Sequence, residues 1–250
     1  MSNQDWFGEE IAESYDADTV SMSEPGVLGP QLDLLEALAA GRPVLELAIG
    51  TGRVAVPLAA RGVKVSGIEL SAAMVARLRG KAGGDEAAIP VVVGDMTTAQ
   101  APGAGTFGLV FLVFNTLMNL TTQDAQVDCF RNAAAHLAPG GCFLVEIVVP
   151  ALQRLPPGER YVTFDRSDDH VGIDEYHVAS QRMWSHHVTF GADGRVRRSS
   201  PPFRYAWPAE LDLMARLAGM RLRDRWSDWS GTPFTAESRS HVSVWEKSAS

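Results

Sequence analysis

Residues 44–49 read Val-Leu-Glu-Leu-Ala-Ile, apolar at every position but one, and then break at Gly50-Thr51-Gly52 into small and aliphatic residues at helical spacing. A short, nearly continuous apolar run is the pattern of a strand buried on both faces, so the stretch reads as strand, tight turn and helix. The alternation repeats. Strands are expected over 63–70, 87–95, 107–115 and 142–150, and helices over 31–38, 53–62, 72–81 and 122–137. Ser71 is placed to cap its helix, Gly62 to close the one before, and Pro139-Gly140-Gly141 to stop the last. Strands alternating with helices imply a parallel, doubly wound α/β sheet. After Pro150 the pattern changes to β-type runs at 161–165, 177–190 and 195–207, with a turn at Gly191-Ala192-Asp193-Gly194. A helix over 208–219 and two strands over 221–229 and 241–247 end the chain.

A chain of 250 residues suits one α/β domain carrying an insertion, and 46% hydrophobic residues can build its core. The net charge of -8 argues against nucleic-acid or anionic-membrane partners, which require phosphate neutralisation. Two cysteines, Cys129 and Cys142, are too few for a disulfide framework or a zinc site. The start lacks a basic and apolar leader and no apolar run approaches a membrane span, so a cytoplasmic protein is expected.

The glycine turn admits two nucleotides. Gly50-Thr51-Gly52-Arg53-Val54-Ala55 satisfies the dinucleotide pattern G-x-G-x-x-G/A, and Glu69 ends the next strand where an acid grips ribose hydroxyls. That reading is a NAD-dependent oxidoreductase. Three features favour a different ligand. Glu46 is a carboxylate inside the first strand, four residues before Gly50. Gly94-Asp95-Met96 closes the third strand with an acid beside an apolar residue, an arrangement suited to adenine. The chain ends in a helix and two strands, "ELDLMARLAGMRLRDRW" and "SHVSVWEK".

As a set these residues resemble the class I S-adenosylmethionine-dependent methyltransferases. That family's first motif reads acid-x-G-x-G-x-G. Here Glu46-Leu47-Ala48-Ile49-Gly50-Thr51-Gly52 matches it, with Ala48 in place of the first glycine. The resemblance implies a seven-stranded, mostly parallel sheet with its last strand antiparallel, helices on both faces, and an inserted antiparallel β region. It implies a single methyltransferase domain over 1–250: a helical arm (1–42), a cofactor-binding half (43–150), a β cap over the active site (151–207), and a final helix and strands (208–250). S-adenosyl-L-methionine is the implied cofactor, held by Tyr15, Glu46, Ala48, Gly50, Gly52, Arg53, Glu69, Leu70, Gly94, Asp95, Met96 and Val113. Tyr15 would fold over the ligand and Arg53 would clamp its carboxylate. Removing Glu69 is expected to cost affinity and little stability.

The tail further resembles actinobacterial-type N-methyltransferases of small molecules and peptides, which implies such an acceptor. A monomer or homodimer is expected. Asn115, His186, His187 and Tyr205 are the catalytic candidates. His186 and His187 are neighbours on a strand, so alternation sends them to opposite faces. With no strongly placed base and no metal cluster, methyl transfer to an amine through orientation is the expected chemistry. An O-methyltransferase using a histidine base is the alternative. So is a cofactor-binding protein without methyl transfer.

Overall fold

A computed structural model of the chain describes residues 8–191 and 193–248. Residues 1–7, part of the expected arm and of the start read for a leader, lie outside them. So does Ala192 of the expected turn. The elements run α1 (Glu9–Asp18), α2 (Pro25–Ala39), β1 (Val44–Leu47), α3 (Ala55–Ala60), β2 (Val65–Glu69), α4 (Ala72–Arg79), β3 (Val91–Val93), β4 (Phe107–Leu112), α5 (Gln123–His136) and β5 (Leu137–Val148). An antiparallel block follows: β6 (Tyr161–Arg166), β7 (His170–His177), β8 (Arg182–Phe190), β9 (Val196–Ser199) and β10 (Pro202–Arg204). The chain closes with α6 (Pro208–Leu217), β11 (Met220–Trp226) and β12 (Ser240–Lys247).

The main sheet has seven strands in the order β11-β12-β5-β4-β1-β2-β3. Pairing is parallel from β3 through β5, and β12 is antiparallel to both of its neighbours. The strand order reverses beside β1, which pairs with both β2 and β4, so the crevice at their carboxyl ends is the switch point where open α/β sheets take ligands.

Local chemistry accounts for the boundaries. The Ser71 hydroxyl accepts from Met74 N–H at 3.4 Å and Thr122 caps α5 through Ala125 N–H at 3.2 Å. Gly62 closes α3 at φ 88°. Helix α2 starts earlier than its leucine repeat suggested, because Leu28 extends the buried stripe of Leu32, Leu35 and Leu38. Helix α3 begins at Ala55, so Arg53 belongs to the turn before the helix and not to its first residue. The run 177–190 is not one strand: a turn at Val178–Gln181 divides β7 from β8, and β7 itself begins at His170. The run 195–207 likewise splits into β9 and β10.

Two apolar layers sandwich the main sheet. On one side α2 and α3 bring Leu35 and Leu58 against Val44 and Leu109. On the other, α5 and α6 join Phe130, Phe143 and Trp245, with Phe130 edge-on to the other two rings at 5.0 and 5.3 Å. Val162, Tyr176, Met183 and Tyr205 belong to this second layer, so the antiparallel block packs onto the same core. Arg204, 4% exposed, ties the block to α5 and α6 through Gln126 Oε1 at 2.5 Å and Glu210 Oε1 at 2.7 Å. Among the described residues no helix is long and apolar enough to cross a membrane.

Candidate functional site

At the carboxyl ends of β1 and β4 a pocket of about 30 Å³ is lined by Glu46, Ala48, Gly50, Arg53, Val113 and Phe114, with Tyr15 among the groups that close it. Of the residues that the sequence nominated, Tyr15, Glu46, Ala48, Gly50, Arg53 and Val113 meet here. The turn that shapes the pocket is left-handed at three points: Ala48 at φ 54°, Gly50 at 56° and Gly52 at 78°. A Cβ on Gly52 would sit 2.2 Å from Leu78 Cδ1, so the turn must be glycine there to close against α4. Ala48 carries its side chain in a conformation that costs an L-residue roughly 1–2 kcal/mol. Ala48→Gly is therefore expected to raise stability by roughly 0.5–1 kcal/mol, after the extra entropy of glycine is counted. Thermal melting of the two proteins measures it, and an unchanged or lower midpoint would refute the strain.

Glu46 is 3% exposed, and its Oε2 is buried with no partner among the described residues. Burial pushes its pKa up to about 8, with the charge of Glu69 adding and Arg53 and the Ala55 N–H opposing. A buried, half-satisfied carboxyl at the wall of a pocket is a site for a donor, best a cation. Glu69 is arranged differently. Its Oε2 accepts from Gly50 N–H at 2.8 Å and its Oε1 from Ser71 N–H at 2.9 Å, so the side chain pins the glycine turn to the end of β2. Gly94 N–H donates to Glu69 O at 2.8 Å and holds β3 alongside. Leu70, the next residue, leaves its side chain exposed on that edge. Asp95 Oδ1 accepts from the N–H and hydroxyl of Thr97, both at 2.8 Å, and Asn132 of α5 donates to Met96 O at 2.9 Å. The segment after β3 is thus fixed from two directions.

Arg53 lies over the Phe114 ring at 5.7 Å and its charge reaches Glu46, Tyr15 and Glu146. Glu146 on β5 is an acid that the sequence reading passed over, set behind the pocket wall at Phe114. It accepts from Phe114 N–H at 2.6 Å, and burial raises its pKa against that bond and Arg53. Its signal was the one that exposed Glu46, an acid in an apolar strand. Phe114 and Asn115 are consecutive left-handed residues at φ 59°, a strained corner that Glu146 helps to hold. Asn115 spends its side chain on that corner, accepting from Val148 N–H at 2.7 Å, and does not line the pocket.

The arm covers this site. Thr51 donates to Asp16 Oδ1 at 2.6 Å, Lys81 pairs with Asp16 at 2.9 Å, and Arg77 with Glu13 at 3.5 Å. The Lys81 and Arg77 pairs are exposed and worth up to about 1 kcal/mol each, whereas the Thr51 bond is part-buried. A nucleotide-sized ligand needs at least about 300 Å³, more than the pocket holds here. The donor set fits an S-adenosyl ligand.

The remaining candidates lie in the antiparallel block. His186 and His187 do face opposite sides. His186 contacts Ser200 Oγ at 2.9 Å and Glu175 Oε2 at 3.2 Å, whereas His187 lies between Ser185 and His170. Tyr205 is 2% exposed and its ring lies tilted against that of Tyr176, with centroids 5.5 Å apart. Its hydroxyl has no partner among the described residues.

A seven-stranded sheet with β12 reversed, a glycine turn at the switch point and an acid at the end of β2 define a Rossmann-like methyltransferase. Residues 44–141 match the model of the methyltransferase domain. The chain superposes over its full length on the CcbJ methyltransferase of Streptomyces caelestis, covering 100% of both chains at 37% identity with a TM-score of 0.83. It belongs to the S-adenosylmethionine-dependent methyltransferases. It is also 28% identical over 99% of its length to the cypemycin N-terminal methyltransferase of a Streptomyces species, all of which it spans. The amino pentose methyltransferase CalS10 of Micromonospora echinaspora, determined with S-adenosylmethionine bound, shares the fold at 20% identity, with a TM-score of 0.69 over 94% of this chain and 96% of that one.

Proposed function

We propose that the protein moves the methyl group of S-adenosylmethionine to an amine of a small molecule or peptide. The observation that carries this reading is the chemistry of the pocket wall. It offers the carboxyl of Glu46, whose Oε2 is buried with no partner among the described residues, as a place for the ammonium of the cofactor's methionine part. Likeness over the whole chain to a peptide N-terminal methyltransferase supports the same acceptor atom.

The bound cofactor supplies a methyl group that is already electrophilic on its sulfonium. What is left to the chain is to hold both partners in line and exclude water. In this reading Glu69 accepts from the ribose hydroxyls, and Asp95 and the backbone at Met96 meet the adenine, with Gly94 allowing close approach and Leu70 packing on the ring. Glu46 takes the methionine ammonium and Arg53 its carboxylate. Ala48, Gly50, Gly52 and Val113 form the wall, and Tyr15 closes over it. The block between residues 151 and 207 is read as the cover of the acceptor side, with Asn115 and Tyr205 shaping it.

Calorimetry tests this. S-adenosylhomocysteine is expected to bind in the micromolar range, about -8 kcal/mol, and NADH not detectably. The reverse preference would overturn the assignment. A cation brought against Glu46 favours its charged form, so binding near pH 7 is expected to release up to about one proton and to tighten as pH rises towards 8. Titrations in two buffers of different ionisation enthalpy count the proton. None released would remove Glu46 from the ammonium.

A further inference from the structure

Directly after β4 the backbone of Phe114 and Asn115 is left-handed, at φ 59° in both. Asparagine visits that region readily, but a bulky phenylalanine there is an outlier. Such a conformation persists only where its surroundings over-determine it. Here the holding comes from β5. The register between β4 and β5 ends at Leu112 opposite Val145, and beyond it side chains share the work with the backbone. Asn115 N–H donates to Glu146 O at 3.2 Å, and Asn115 Oδ1 accepts from Val148 N–H at 2.7 Å. The Phe114 N–H goes to a carboxylate, Glu146 Oε2, at 2.6 Å.

The strained corner is also a wall of the pocket. Val113, Phe114 and Thr116 line it, whereas Asn115 and Glu146 do not. Across the pocket, Arg53 of the glycine turn lies over the Phe114 ring at 5.7 Å. The ring therefore does two things: it bounds the space for the ligand, and it seats the guanidinium that faces that space. Phe114 is only partly buried, at the margin of the apolar layer under α2 and α3. A change in its backbone therefore falls on the pocket before it reaches the core.

We infer that Glu146 is a positioning residue of the cofactor site: by holding the Phe114 N–H it keeps the Phe114 ring in the pocket wall and beneath Arg53, and through them it sets the affinity for the S-adenosyl ligand. The inference rests on the cofactor reading above, in which that ligand fills this pocket and meets Arg53. It adds a residue that acts on the ligand from behind the wall. The physical chain is short. Without the carboxylate, the bond that offsets the strain at Phe114 is gone. A phenylalanine then favours negative φ, and because Cβ turns with φ, the ring leaves the wall and Arg53 loses its seat.

Calorimetric titration with S-adenosylhomocysteine tests this and needs no acceptor. Glu146→Ala is expected to weaken binding by at least about tenfold, in keeping with the strain that it releases. Glu146→Gln keeps an acceptor oxygen in the same place and is expected to stay within about threefold of wild type. Glu146→Asp keeps the charge but draws the oxygen back by one methylene. It is expected to bind as weakly as the alanine variant, and it takes that variant's place if the alanine protein does not fold.

The deciding measurement is a double-mutant cycle with Phe114→Gly. Glycine adopts the left-handed corner unaided and carries no ring, so in that background the loss of the Glu146 carboxylate is expected to cost less than about twofold in affinity. A purely structural role would lower the melting temperature and weaken binding equally in both backgrounds, and that result would overturn the inference. So would a folded Glu146→Ala protein that binds within about threefold of wild type, or a Glu146→Gln protein as weak as Glu146→Ala. A wild-type protein that does not bind S-adenosylhomocysteine would overturn the cofactor reading itself, whereas binding that is tight but indifferent to Glu146 overturns only the role assigned to this residue.

Discussion

Arg204→Ala is expected to lower unfolding free energy by about 3–5 kcal/mol, the cost of leaving one charge of a buried pair without its partner. Arg204 is almost wholly buried and donates to three side chains: Gln126 at 2.5 Å, Gln181 at 3.0 Å and Glu210 at 2.7 Å. Glu210 in turn accepts from Gln181 at 2.6 Å and Gln123 at 2.8 Å. The set locks β10 and the turn before β8 onto α5 and α6. Without Arg204 the carboxylate stays half-buried with amide donors only, and Gln126 loses its strongest partner. For a chain of this size the midpoint should fall by roughly 10 °C. Calorimetric melting without ligand is the measurement, and a change within about 1 °C would mean that the network stabilises nothing. The pH dependence has a definite sign. Burial alone would raise the pKa of Glu210, but the bonds from Arg204, Gln181 and Gln123 more than offset it and hold it low. A carboxylate lowered on folding contributes stability that is complete above its unfolded pKa and fades as pH falls through the folded one. Wild type should therefore lose its advantage over Arg204→Ala in acid.

The same residue shows where sequence reading ends. The strand–turn–helix at Gly50 was legible because its signals are local: an apolar run, glycines that must adopt positive φ, and an acid where none belongs. The order of β1 to β5 and the reversed final strand followed from the family resemblance. Arg204 gave no such signal, since its partners lie 78 and 6 residues away in sequence. Strand β7 was missed for a physical reason too. It buries only Gly172 and Tyr176 on one face and leaves the other half-exposed, so its polar residues do not alternate cleanly, and the turn to β8 contains neither glycine, proline nor asparagine. Gln181 takes the left-handed place at φ 53° instead. The arm was legible only as a helix with a tyrosine. That Asp16 meets Thr51 and Lys81, 35 and 65 residues on, is a tertiary fact with no periodic trace.

Glu69→Ala is expected to weaken S-adenosylhomocysteine binding by about 2–3 kcal/mol, roughly 30- to 150-fold, if the carboxylate accepts from both ribose hydroxyls. The sequence alone suggested that stability would be spared. The structure argues against that, because each oxygen of Glu69 already holds a backbone N–H, of Gly50 and of Ser71. Glu69 is 6% exposed, so alanine would leave both donors without an anion in a place water reaches poorly. An additional loss of about 1–3 kcal/mol in the ligand-free protein follows. The two effects separate in a second variant. Glu69→Gln keeps one acceptor oxygen and nearly the same shape, so it should recover part of the stability while its amide cannot accept from a second hydroxyl. Affinity should stay low in Glu69→Gln where the melting midpoint recovers. Two variants whose affinity tracks their stability would mean that Glu69 acts on the ligand only by shaping the Gly50 turn. An unchanged affinity in a folded Glu69→Ala protein would take the ribose away from the end of β2 altogether.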